Sequence, residues 1–467
     1  MPSAPRGAPR FRRSVSWAEI PLAAGIAALA YFCLLLAWAW QDADRHAQLL
    51  HPSLTDGNPG INGRAQDVLR SAASMQNNGM YLTLLSPDGT KVGPIENAVV
   101  GDFGHALLAQ LMAKFRKSPL TLVSLVRLNY VITAAGLAIL AWMLLSMGLT
   151  WSAGSCLVLG AYFGMPGPVP SADISGAYLG ATALCCVPVV WLLGISSLED
   201  IPKTPKHLAQ AAVSWFCLVG SYLLRQPIGA TGAIACMLAI AALWWRHRKA
   251  GAPAWIAAAA LCLGVIAATK VPNLMAWIRD RAYGFPPSSL PHSHGLWHTM
   301  FLGLGAVDNR WGIVWSDRYA FERFLKLHPG IRLLSPAYFD TMRHDFLALV
   351  REAPGEVIRI YWQKLRMSLS LPGLGVAGVN AFILSIACGL VGAWLLRTKP
   401  EIWRPAILAS FTGVLICFAM LLQGVLAKPS IEYLHPVPFL AAWSLATLIE
   451  GLSPPASMGP TGKRRKP

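Results

Sequence analysis

The chain has 467 residues, 55% of them hydrophobic and 13% charged, with a mean hydropathy of +0.47. A soluble globular protein carries nearer a quarter charged residues, so this composition excludes an ordinary soluble domain and predicts a chain that crosses a membrane many times. The net charge of +17 would suit nucleic-acid binding, but the basic residues bunch in short segments between apolar runs. That is the pattern of membrane topology, and it excludes a nucleic-acid partner.

In chain order, residues 1–19 form a basic tail with Arg6, Arg10, Arg12 and Arg13, and the first apolar run, 20–40, follows. The run is long enough to span and has no clear small-residue cleavage site, so it reads as a signal anchor. It ends in Trp38-Ala-Trp40, and Gln41-Asp42-Ala43-Asp44-Arg45-His46 comes directly after. Trp concentrates where hydrocarbon meets water, which places Asp42 and Asp44 just outside the bilayer. Further apolar runs cover 120–148, 151–166, 175–196, 208–224, 228–245, 253–271, 376–396, 405–425 and 431–450. The total is about ten spans, with nine to eleven open, because one run is short and another long.

With the N-terminus inside, Lys203 and Lys206, then Arg246, Arg248 and Lys249, then Arg397, Lys399 and Arg404 all fall in the cytoplasm. So does the basic tail, 451–467, as the positive-inside rule requires. The expected fold is an all-α polytopic membrane protein of about ten transmembrane helices: the first at 20–40, helices 2–7 within 119–271 and helices 8–10 within 376–450. Two long outer segments remain, 41–118 and 272–375.

In the first, Tyr81–Leu85, Ser86-Pro-Asp-Gly89 and a second short run read as a hairpin with a Pro-Asp-Gly turn. Leu107, Leu108, Leu111, Met112 and Phe115 then recur at helical spacing, closing with Lys114, Arg116 and Lys117. That helix either lies along the membrane surface or packs on the segment's own core. The second outer segment is rich in rings, including Trp297, Trp311, Trp315, Tyr338 and Trp362, and prolines divide it into short helices. Its length, about 100 residues, suffices for a modest core. The nine cysteines all lie in apolar runs without metal-site spacing and read as small buried hydrophobes.

Several groups could carry chemistry. A carboxylate at the edge of low dielectric can take a proton from a hydroxyl nucleophile, and Asp42 and Asp44 stand there. Two acids two residues apart cannot share a helical face, so one is expected in a site and one in solvent; the plain alternative is polar punctuation after a span. Asp173, in the proline-fixed loop Pro166–Gly176, is either a second site acid or an N-cap. Arg225 stands alone in Leu223-Leu-Arg-Gln-Pro227 on the unfavoured side, Lys270 ends the seventh span there, and Arg127 lies inside the second. Such cations suit a phosphate group, although snorkelling to headgroups is the better reading of Lys270.

His292, His294 and His298 fall within a short stretch. His294 and His298 would share a helical face, which is compatible with a divalent metal, but no further ligand and no His-Glu-x-x-His pattern accompanies them. Contact with substrate or phosphate, or loop packing, are the other readings. The stretch Gly303–Gly312 mixes rings and polar groups as sugar-binding surfaces do; no Gly-Lys-Ser/Thr follows, so it is no phosphate loop.

This arrangement resembles the GT-C glycosyltransferases, the multispanning class that includes protein O-mannosyltransferases and lipid A aminoarabinose transferases. Acids follow the first span, a large outer loop with interfacial helices comes next, and a further acid, Asp173, opens a span after a short loop. The last span begins Ile431-Glu432-Tyr433-Leu-His435-Pro436-Val-Pro438, similar to the Arg-Tyr…Pro…Pro run of that class. The first-loop motif is Asp-Ala-Asp-Arg rather than an adjacent Asp-Glu pair, and Glu432 stands where Arg is usual, which leaves the subfamily and metal dependence open. The resemblance implies an enzyme of a bacterial inner membrane with its active site on the outer side. It would move one sugar, with inversion, from a polyprenyl-phosphate carrier to a hydroxyl of a glycan, lipid or protein acceptor. Asp44 or Asp42 would be the general base; Asp173, Arg225, Lys270, His294, His298 and Tyr433 would bind the substrates. A transporter or flippase for lipid-linked saccharides, an O-antigen ligase or polymerase, and a non-catalytic assembly subunit are the competing expectations.

Overall fold

The computed structural model describes residues 59–95, 103–116, 118–164, 174–195, 205–247, 252–286, 295–333, 335–398, 404–430 and 434–452, with parts of a helix between 30 and 41. It is an all-α membrane protein with little sheet. Six helices among the described residues are long and apolar enough to cross a bilayer: Leu122–Ser146, His207–Leu224, Gln226–Trp245, Ala254–Tyr283, Ala381–Thr398 and Pro405–Leu426. Tyr178–Gly194 and Pro436–Leu452 are shorter apolar helices.

The first polar segment folds as a small domain. Helix α1 (Pro59–Asn78), a hairpin of β1 (Thr83–Leu85) and β2 (Val92–Pro94), and α2 (Phe103–Phe115) enclose Ala65, Val68, Ala72, Leu82, Ile95 and Ala109. The Pro-Asp-Gly turn closes the hairpin as its sequence predicts. Asp88 accepts from Ser86 and from the backbone and hydroxyl of Thr90, which holds its carboxyl below the usual range, and Gly89 takes φ +72. Helix α2 packs on the domain through Phe103, His105, Ala106, Gln110 and Ala113, whereas of the predicted apolar stripe Leu107, Leu108, Leu111 and Met112 are half-buried and Phe115 is exposed. Helix α1 has no counterpart among the expected elements. Its buried face is mostly alanines and serines, with Val68 and Met75, and carries little hydrophobic signal.

The bundle follows. Helices α3 (Leu122–Ser146), α4 (Thr150–Gly164), α5 (Tyr178–Gly194, entered through a 3-10 turn, Ile174–Ala177), α6 (Pro205–Leu224), α7 (Gln226–His247) and α8 (Ala252–Tyr283) come in succession. Close packing is made by small residues, as in membrane helix pairs generally. A Cβ on Gly136 would come 2.5 Å from Gly180 O, and one on Gly180 would come 2.7 Å from Ile132 O, so α3 and α5 touch backbone to backbone. Helix α8 runs through Pro272 to Tyr283, beyond the predicted span end at 271. Its extension carries the first domain. Arg279 donates to Ile95 O at 2.6 Å while paired with Asp280 at 2.7 Å, and the Tyr283 hydroxyl accepts from Tyr81 N at 2.9 Å.

The second polar segment forms another small domain from α9 (Gly295–Gly303), α10 (Asp317–Leu327), α11 (Pro336–Glu352) and α12 (Pro354–Ser370). Phe301, Leu304, Ile313, Phe324, Tyr338, Met342, Phe346 and Ile360 make its core. A hairpin, β3 (Gly375–Val376) with β4 (Val379–Asn380), occupies the predicted start of the eighth span. Its two-residue turn, Ala377-Gly378, has both φ angles positive, the tight hairpin geometry. Helices α13 (Ala381–Thr398), α14 (Arg404–Leu426) and α15 (Pro436–Leu452) complete the bundle.

Both small domains sit at one end of the bundle, here the domain end. At the far end α15 supplies the N-cap of another helix. Glu450, 4% exposed, accepts from Trp151 N at 3.1 Å, Ser152 N at 2.7 Å and the Ser152 hydroxyl, meeting the open amides and positive dipole of α4. Trp151, Trp245, Trp255 and Trp394 are exposed at that end, and Trp277 and Tyr162 towards the other. Trp255 and Trp277 lie about 33 Å apart along α8 at 1.5 Å per residue, close to the ~30 Å of a hydrocarbon core bounded by aromatic belts.

Candidate functional site

The domain end gathers cations and rings from helices distant in sequence. Arg225 occupies the turn between α6 and α7, its N–H bonded to Ser221 O and its carbonyl accepting from Gly229 N, both at 2.9 Å. The turn is tight because Gly229 lies against Tyr222, where a Cβ would come 2.3 Å from the Tyr222 Cα. The Arg225 guanidinium lies 5.2 Å from the centre of the Tyr178 ring, and Tyr178 stacks on His435 with centroids 6.1 Å apart and planes 15° apart. Tyr178 is the first residue of α5 and His435 immediately precedes α15. Three chain segments therefore meet at one point: the α6–α7 turn, the entry to α5 and the entry to α15.

A second cation stands in the same region. Arg127, in the second turn of α3, lies 4.5 Å from the Trp40 ring centre. Because α3 packs on both α5 and its 3-10 entry turn, Arg127 sits about one turn further out than Tyr178. Helix α2 closes against the group from the first domain: Gly104 lies on the backbone of Leu223, with a Cβ there only 2.8 Å from its carbonyl carbon, and His105 beside it is fully buried. Asn129, 2% exposed, is on α3 below. All of these polar groups are partnered. The assembly is partly desolvated, with planar guanidinium groups held on aromatic faces.

The sequence-predicted residues fall in different places. Arg225 is at the centre of this cluster. Asp42, Asp44, Asp173, His294 and Tyr433 lie outside the described residues. Four of them belong to segments that the cluster anchors: Trp40 is two residues before Asp42 and four before Asp44, Tyr178 five after Asp173, and His435 two after Tyr433. Lys270 is exposed on α8, thirteen residues before the helix ends at Tyr283, so it lies along a helix face rather than at a helix end.

His298 is placed elsewhere. It is 1% exposed inside the second domain, with Nδ1 2.5 Å from the Tyr338 hydroxyl and Nε2 3.0 Å from Asp317 Oδ1. In the neutral ring the tyrosine donates to Nδ1 and Nε2–H donates to the carboxylate. Burial, with the Asp317 charge added, pushes the Tyr338 phenol well above its ordinary pKa. The trio joins α9, α10 and α11, with His298 and Tyr338 buried in that domain and Asp317 at its surface. The Gly303–Gly312 stretch is likewise built from within: Asn309 donates to Leu304 O, Val307 O and Ile313 O and accepts from Trp311 N and Ile313 N. Among the described residues no cluster of three His, Cys, Asp or Glu side chains is placed to hold a metal ion.

Sequence reasoning missed Tyr178, His435 and His105 as members of the cluster. A ring at a span entry reads as an interfacial anchor, and only the tertiary contact with Arg225 distinguishes these. His105 had a signal: it falls on the buried face of α2 that Phe103, Ala106 and Gln110 define. No protein-family model, curated protein or solved structure matches the chain.

Proposed function

We propose that the domain end is the active site of a membrane glycosyltransferase on the outer face of the membrane, using a polyprenyl-phosphate-linked sugar. The reading takes both termini as cytoplasmic and about ten spans, the count that hydropathy suggests. One observation carries it. Arg225 lies on Tyr178, and Tyr178 on His435, at 5.2 and 6.1 Å, so the segments bearing Asp173 and Tyr433 adjoin a cation on the unfavoured side.

In this mechanism the acceptor hydroxyl oxygen attacks the anomeric carbon as the bond from that carbon to the carrier phosphate oxygen breaks. The hydroxyl proton passes to Asp44, with Asp42 nearer the end of the first span. The departing polyprenyl phosphate keeps the electron pair and is met by Arg225, with Arg127 nearby. Lys270, exposed on α8 seven residues before Trp277, reaches towards the headgroups rather than into the site. Asp173 and Tyr433 adjoin the sugar. His298, engaged by Tyr338 and Asp317, supports the second domain, and His294 precedes its first helix. Positioning and electrostatic stabilisation supply most of the rate.

The test is transfer of radiolabelled sugar from a polyprenyl-phosphate donor by the purified protein and its two variants, Asp42→Asn and Asp44→Asn. Asn keeps size and hydrogen bonding but cannot take the proton. Asp44→Asn is expected to lose roughly a hundred- to ten-thousand-fold in rate, with Asp42→Asn close to wild type. Wild-type rates in both variants, or no transfer by the parent protein with any polyprenyl-phosphate sugar, would exclude this mechanism.

A further inference from the structure

Lys364 is the buried cation that the proposed chemistry does not use. It lies on α12 with 0% exposure, and its Nζ donates to Gly303 O at 3.0 Å and Leu426 O at 3.1 Å. Gly303 is the last residue of α9 and Leu426 the last of α14. The amine therefore bridges the carbonyl where α9 passes into the 3-10 turn Leu304–Ala306 and the one that ends α14, and lies 4.8 Å from the Tyr361 ring centre. Glycine is needed at 303, since a Cβ would come 2.3 Å from Leu426 O and 2.9 Å from Nζ. One contact set thus ties the second domain to the end of α14, from which the chain leads to His435.

We propose that Lys364 is a proton-sensitive clasp, a positioning residue that fastens the second domain to the α14–α15 connection and thereby fixes where that connection presents His435. The clasp does not depend on which reaction the site performs. Burial pulls the amine from its ordinary 10.5 down to about 7. Above that value the clasped lysine sheds its proton, and a neutral amine still has two N–H groups for the two carbonyls. An unclasped, solvated lysine keeps its proton until about 10.5. Raising the pH from about 7 towards 10 therefore favours the clasped state, by up to about tenfold per pH unit for one proton; below 7 nothing further changes.

Few other groups face the clasp. Tyr361 of α12 is held up at about 12 by burial. His298 of α9 is bonded to Tyr338 and Asp317. Helix α14 has no charged side chain from Pro405 to Leu426, the 3-10 turn Leu304–Ala306 has none, and Lys428 beyond is exposed.

Hydrogen exchange of the full chain in lipid nanodiscs tests the clasp, read on the peptide containing Ala427, whose N–H donates to Gln423 O at 2.9 Å. After correction for intrinsic rates, wild-type protection is expected to rise between pH 7.5 and 9.5 by a factor approaching ten per unit. Lys364→Met, which cannot titrate, is expected to give a flat profile, as is Lys364→Arg, which stays charged. Flat protection in the wild type overturns the proposal whether or not a variant folds, and so does a slope that survives in either variant.

Discussion

Gln110 spends both ends of its amide on the first domain. Its Oε1 accepts from Leu82 N at 2.8 Å, and its Nε2 donates to Ser71 Oγ at 2.8 Å and Thr83 O at 3.2 Å. That network holds Leu82 at φ +53, a backbone region costly for a side chain of this size, and Arg279 grips the same hairpin from α8. Arg225 differs in lying at a junction of three chain segments, its guanidinium 5.2 Å from the centre of the Tyr178 ring. Two-pronged donation to phosphate needs the planar guanidinium. Arg225→Lys should therefore keep the charge but raise the carrier concentration for half-maximal rate by roughly tenfold, the loss of about 1.4 kcal/mol of charge-assisted bonding. Steady-state rates against carrier concentration, at fixed acceptor, measure this; an unchanged curve removes Arg225 from the site.

At the scale of helices, the site depends on how closely α3 and α5 approach. Gly180 is less than one turn into α5 from Tyr178, and a Cβ there would meet the Ile132 carbonyl and the Thr133 Cα at 2.7 Å. Neither obstacle is a flexible side-chain tip. Gly180→Val should force the helices apart, lower stability by about 1–3 kcal/mol and displace Tyr178 from Arg225. A Cβ on Gly154 of α4 would meet nothing within 4 Å, so Gly154→Ala is the neutral control. Thermal unfolding in detergent compares the two, and equal midpoints would contradict the close contact. Which helices exist was largely legible in sequence, because long apolar runs such as Leu122–Ser146 carry their own signal. The elements that escaped lack it. Helix α1 buries mostly small residues, Ala65, Ser71, Ala72 and Ser74, with only Val68 and Met75 as larger apolar ones, and the 375–380 hairpin is apolar enough to merge with the span after it. Arg225 was legible because charge on the unfavoured side of a span is anomalous in the sequence itself. Its pairing with Tyr178 and His435 was not, since contact between residues so far apart leaves no local pattern.

Across the whole molecule, orientation is what turns a cluster at one end of a bundle into an outward-facing site. Both small domains lie at the end where Arg225, Tyr178 and His435 meet, and the ends of α7 at Arg246-His247 and of α13 at Arg397-Thr398 lie at the other. Lys and Arg are retained on the cytoplasmic side, so the two domains should face outwards. Single cysteines at three exposed positions can decide this: Asn77 at the end of α1, Lys326 on α10, and Thr398 at the end of α13. Background labelling should be small, because seven of the nine native cysteines are buried, and the other two, Cys33 and Cys262, lie within apolar runs. In cells with a permeable outer envelope, a membrane-impermeant maleimide should label Asn77→Cys and Lys326→Cys at once. Thr398→Cys should react only after the membrane is opened. The reverse pattern would put the cluster on the cytoplasmic face, where an outer-face acceptor could not reach it. Labelling of Asn77→Cys and Lys326→Cys from opposite sides would mean an odd number of crossings between the two domains, and the span count would have to change.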